Sequence, residues 1–176
     1  MLCTGRCGSK TLAAACSHIT NYTVGHETRA RLLEGRLDYP DWHIEIDNRL
    51  VWFLGGLEEA YGDDPLYVHL HRDSELVAAS HARRYDNPAS IVRAFAHGVL
   101  GRLCPDDAPA AARLMVDTVT ANIRSFLFGK PWVIEMSIHD PHGPFDELWD
   151  ALGADGDRDA AHGALDEIRD PTGAVR

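Results

Sequence analysis

Thr4-Gly5-Arg6-Cys7-Gly8-Ser9-Lys10-Thr11 follows the apolar pair Leu2-Cys3 and runs into Leu12-Ala13-Ala14-Ala15-Cys16. A short strand over Leu2–Thr4, a glycine-bearing turn and a helix from about Lys10 to Ile19 are the reading of this stretch. Glycines let backbone N–H groups turn toward an anion, and the helix N-terminus adds the positive end of its dipole. Arg6 and Lys10 supply charge. Gly5, Arg6, Cys7, Gly8, Ser9, Lys10 and Thr11 are therefore the candidate phosphate-binding residues. The other reading is an ordinary βα turn with incidental cations. Lys10-Thr11 matches the end of a Walker A loop, whereas Thr4 and Ser9 stand where that motif has glycine.

Outward from this turn, strands and helices alternate. Tyr22–Val24 reads as a strand, and the arginine-rich stretch 27–41 as helix or loop. His43-Ile44-Glu45-Ile46-Asp47 alternates with period two, as a strand does. Asn48 is placed to cap a helix carrying Leu50, Phe53, Leu54 and Leu57 and ending near Gly62. A strand over Leu66–Leu70 and a helix over Ser74–Tyr85 follow. Helices are expected over Ala89–Leu103 and Ala108–Phe128, a strand over Trp132–Met136, and helices over Phe145–Leu152 and Arg158–Ile168. This order implies an α/β fold: one domain over residues 1–176, a mostly parallel sheet flanked by helices, of P-loop nucleotide-binding type. In such sheets ligands sit beyond the carboxyl ends of the strands.

Composition narrows the partners. The 176 residues are 45% hydrophobic and 25% charged, ordinary values for a folded domain. A net charge of −10 repels nucleic acid and anionic membranes, so any anionic ligand needs local cations. No apolar run approaches the roughly 18 residues of a membrane span, and no leader pattern is present, so a cytoplasmic location is expected. Cys3, Cys7, Cys16 and Cys104 form no C-x-x-C pair and are expected to be reduced.

A second anion site is carried by Leu66-Tyr67-Val68-His69-Leu70-His71-Arg72-Asp73, a strand ending in Arg-Asp, with Ser80 eight residues after Arg72. A guanidinium and a hydroxyl can clamp a separate phosphate. Alternatively, Arg72 pairs with Asp73 or another surface carboxylate.

Taken together, the two segments resemble those of the P-loop sulfotransferases that use 3′-phosphoadenosine-5′-phosphosulfate (PAPS). Arg6-Cys7-Gly8-Ser9 resembles the family's 5′-phosphosulfate loop, and Arg72 with Ser80 its 3′-phosphate pair. Ser74 stands where that family usually has proline, and Lys10 where it has Ser or Thr. The C-terminal R-K-G-x-x-G-x-W-K segment of its cytosolic members is absent. The likeness covers residues 1–85, more weakly 149–156. It implies PAPS as co-substrate, with the adenosine bisphosphate PAP as product, no metal, and an acceptor hydroxyl or amine on a small molecule, carbohydrate or lipid. It leaves a homodimer open.

Sulfuryl transfer rests on positioning and charge stabilisation, which Arg6 and Lys10 would supply to the leaving phosphate. The acceptor needs a base. Glu27 and His26, following the second strand, come first, then Asp47 at the end of the third. Each of the three could equally be a loop or capping residue. His69 with His71, or His139 with His142, lack a clear third metal ligand. Two rival readings stand. One is a small Mg-ATP kinase, with Thr11 and Asp47 serving the metal. The other is a non-catalytic nucleotide-binding protein of the same fold.

Overall fold

The computed structural model describes residues 1–101 and 107–167. Strand β1 (Thr23–His26) pairs in parallel with β2 (His43–Ile46), and β3 (Tyr67–His71) in parallel with β4 (Val133–Ser137). The N-terminal residues join the two pairs. Met1 N donates to the Glu45 carbonyl at 2.8 Å on one side. On the other, Leu2 N donates to Val68 O at 2.8 Å and Leu70 N to Leu2 O at 3.0 Å. The strands thus form two small two-stranded parallel sheets rather than the one sheet expected, with the N-terminal segment between β2 and β3. Only Leu2 of the expected Leu2–Thr4 strand has ladder pairing, because Gly5 and Arg6 turn the chain away immediately afterwards.

From this central segment the chain runs through α1 (Ser9–Cys16) to β1 and β2 on one side. It then passes through α2 (Leu54–Tyr61) to β3 and β4 on the other. The turn after the N-terminal segment therefore lies where the strand order reverses, the position at which parallel sheets open a crevice. Helices α3 (Ser74–Ala82) and α5 (Ala108–Leu127) pack on each other, as do α1 and α7 (Arg158–Asp166). The buried stripe of α5, Ala108, Ala111, Ala112, Met115, Val116, Val119 and Ile123, has the three- and four-residue spacing that turns one helix face inward. Leu2, Leu12, Ile46, Leu70 and Met136 fill the core between sheet and helices. Among the described residues no helix is long and apolar enough to cross a membrane.

Three further expectations are corrected. The helix foreseen over Ala89–Leu103 is a short α4 (Ile91–Ala94) that widens into a π-turn over Phe95–Val99. Apolar periodicity cannot separate these two windings over so few residues, and Leu103, like Cys104, lies outside the described residues. Asn48 does not cap a helix. The chain there makes a 3-10 turn over Leu50–Trp52 before α2, without a side-chain cap. Helix α6 starts earlier than foreseen, spanning His142–Leu152.

Candidate functional site

The turn at the centre of the sheet is built from left-handed backbone. Gly5 has φ 76°, Arg6 φ 61° and Gly8 φ 91°, a region that favours glycine. A Cβ on Gly5 would lie 2.7 Å from Asn48 Nδ2, and one on Gly8 would drive into the Ile138 side chain. Both glycines therefore serve conformation and close approach together. Gly8 is also the N-cap of α1 and brings no side-chain cap, so the first-turn amides keep their donor capacity for an anion.

The second segment packs directly against this turn. Arg6 Nε donates to Ser80 Oγ at 3.0 Å. His81 Nε2, beside it, hydrogen-bonds the Thr4 carbonyl at 3.1 Å. Ser80 and His81 are 6% and 3% exposed. Burial pushes the His81 imidazole below its ordinary value, which keeps it a neutral donor. Asp73 is used otherwise than by Arg72: its Oδ1 accepts from Leu76 N at 2.9 Å and caps α3. Arg72 Nε is buried and has no hydrogen-bond partner among the described residues. A hydrogen bond with Cys3 lowers the Cys7 thiol pKa, against the effect of burial. Thr4 and the nearby Arg72 charge add to the lowering. The Arg72 charge thus lies near Cys7 of the loop.

The third wall comes from β1 and β2. His26 Nε2 and Ser9 Oγ are hydrogen-bonded at 3.1 Å, which brings the end of β1 against the first residue of α1. Glu27 has a left-handed φ of 55°, and its Oε2 lies 2.7 Å from Arg49 Nη1. Arg49 in turn is fixed through its backbone N–H, which donates to Asp47 Oδ1 at 2.7 Å. Lys10 is exposed in the first turn of α1.

Two candidates are otherwise engaged. Asp47 is 0% exposed and ion-paired with Arg36, itself 8% exposed. A carboxylate so enclosed cannot take up a metal or a proton from substrate without breaking the pair. Thr11 is buried, and its hydroxyl donates to the Glu167 carbonyl at 3.3 Å, toward the end of α7. Only its backbone remains to face the loop. His69, His71 and His142 are also occupied. His69 Nδ1 lies 2.8 Å from Glu135 Oε2, with His71 Nε2 3.9 Å from the same oxygen. His142 bonds His162 and Asp166. Among the described residues no group of three or more metal-binding side chains forms.

Gly5–Ser9, Arg72, Ser80, His26 and Glu27 are thus gathered at one end of the sheet. Sequence reading missed Asn48, Arg49 and His81. The first two follow the end of β2 directly, and the rule that placed Arg72 after β3 applies equally to them. In comparison with known proteins, no family model, curated protein or solved structure matches this chain.

Proposed function

We propose that this protein transfers a sulfuryl group from PAPS to a hydroxyl or amine acceptor. The observation that carries the reading is the junction of its two anion-binding segments. Arg6 of the loop donates to Ser80, while Arg72, near Cys7, holds a buried Nε with no hydrogen-bond partner among the described residues. A buried guanidinium nitrogen left without an acceptor is costly, and a ligand phosphate would satisfy it. A donor carrying a 5′-phosphosulfate and a 3′-phosphate meets both segments at once.

In this reaction the acceptor oxygen forms a bond to sulfur as the bridging bond from sulfur to the 5′-phosphate breaks. The acceptor proton passes to a base, and charge builds on the leaving phosphate. The amides at the start of α1, with Arg6 and Lys10, stabilise that charge where it develops. Glu27 receives the proton, with His26 next to Ser9 as the second choice. The Mg-ATP kinase reading is the weaker one, because Asp47 and the Thr11 hydroxyl are already engaged.

Calorimetric titration with PAP in chelator, against ATP with Mg²⁺, tests the assignment. Binding of PAP without metal is the expected result. Binding of ATP that requires Mg²⁺, with none of PAP, would overturn it.

A further inference from the structure

Arg49 is the rim cation that the proposed donor site does not use. Its backbone is anchored on Asp47, and its guanidinium leans on Glu27 at 2.7 Å. That contact is ionic only: Arg49 Nη1 is buried and makes no aligned hydrogen bond among the described residues. The two side chains are 41% and 33% exposed, so solvent reaches the pair and little energy holds it closed. Glu27 reaches Arg49 from a left-handed backbone that an L-residue adopts at a cost. Beside them, Asn48 Oδ1 is also buried and has no hydrogen-bond partner among the described residues, with its amide against Gly5. Between the loop and Glu27, then, a guanidinium edge and an amide oxygen both have unused hydrogen-bonding capacity.

We infer that Arg49 binds an anionic group carried by the acceptor, a carboxylate or a sulfate ester, and that this ligand takes the place of Glu27. A free carboxylate or sulfate can align two oxygens on a guanidinium edge, which the tethered Glu27 does not do. The net charge of −10 makes such a local cation the means by which an acidic acceptor is retained. Displacement also frees the Glu27 carboxylate from Arg49, so that it can turn to the acceptor hydroxyl. Acceptors with an anionic group near the reacting hydroxyl are favoured, and neutral alcohols leave Glu27 on Arg49. Calling the ligand an acceptor rests on the sulfuryl-transfer reading; the anion site does not.

Inorganic sulfate titrated into the full chain, followed through the arginine Nε–H resonances and by calorimetry, tests the site. Arg49→Gln is expected to abolish one sulfate site and leave untouched the one that depends on Arg72. Glu27→Gln removes the internal competitor and is expected to tighten the Arg49 site by about two- to fivefold. Arg49→Lys, which keeps charge and loses the fork, is expected to weaken it, and serves should Arg49→Gln fail to fold. Sulfate binding indifferent to Arg49, or weakened by Glu27→Gln, would overturn the inference. Titration with PAP separates the two claims. Loss of PAP binding with the Arg49 site intact rejects the donor assignment alone, and PAP binding without an Arg49-dependent site rejects this inference alone.

Discussion

Two carboxylates stand at the ends of adjacent strands, each beside an arginine, and they differ in almost everything else. Asp47, after β2, is fully enclosed; Arg36 meets one of its oxygens, and the Arg49 amide donates to the other. Arg36 itself is held by the Tyr39 hydroxyl at 3.0 Å and lies over the Phe53 ring. Glu27, after β1, is a third exposed and touches a half-open guanidinium from a left-handed backbone. Asp47 with Arg36 is a structural pair that ties the 27–41 stretch to the sheet. Glu27 with Arg49 is a pair built to part. Asp47 and Glu27 are both carboxylates one residue past the end of a strand; enclosure and the number of satisfied oxygens tell them apart.

The largest expected effect comes from breaking the closed pair. Asp47→Ala leaves a buried guanidinium uncompensated and is expected to cost about 3–5 kcal/mol, read by urea unfolding. A loss below about 1 kcal/mol would mean that Arg36 finds solvent or another partner. Breaking the open pair should reverse the pattern. Glu27→Gln is expected to lower single-turnover sulfuryl transfer by roughly 10²-fold or more while changing stability by under about 1 kcal/mol. A folded variant that transfers at the wild-type rate would move the base to His26.

Much of this arrangement was legible in the sequence, and the limits have physical causes. The glycine turn and the Arg72–Ser80 spacing are local patterns, each within one short stretch, and the structure brings Arg6 of the first against Ser80 of the second. The partners of the carboxylates were not legible, since Glu27 finds Arg49 only through the pairing of β1 with β2. His81 escaped notice for the same reason: its contact with Thr4 spans most of the first half of the chain. The Phe95–Val99 π-turn depends on how the backbone winds, to which the pattern of apolar residues is blind.

A smaller effect concerns pH. His81 sits below the open rim, and burial depresses its pKa from 6.5; burial also depresses that of His69, while Glu135 opposes the shift. The folded state therefore binds fewer protons than the unfolded chain just below pH 6.5. This contribution to stability is complete above that pH and is lost as pH falls through the window. His81→Gln can retain a donor toward Thr4 without titrating, so its stability should fall less than the wild type's between pH 6.5 and 5.5, about the first unit of the window. Parallel curves from thermal melts would place the titration elsewhere.

The donor assignment itself rests on Arg72, and one comparison tests it. Calorimetry of wild type and Arg72→Ala with two ligands, PAP and adenosine 5′-phosphosulfate, separates a 3′-phosphate contact from general loss of charge. A charge-assisted hydrogen bond of this kind is worth ~1.5–3 kcal/mol, or tenfold and more in affinity. The expected result is a loss of that size for PAP, with adenosine 5′-phosphosulfate nearly unchanged. An equal loss for both ligands would contradict the assignment of Arg72 to the 3′-phosphate.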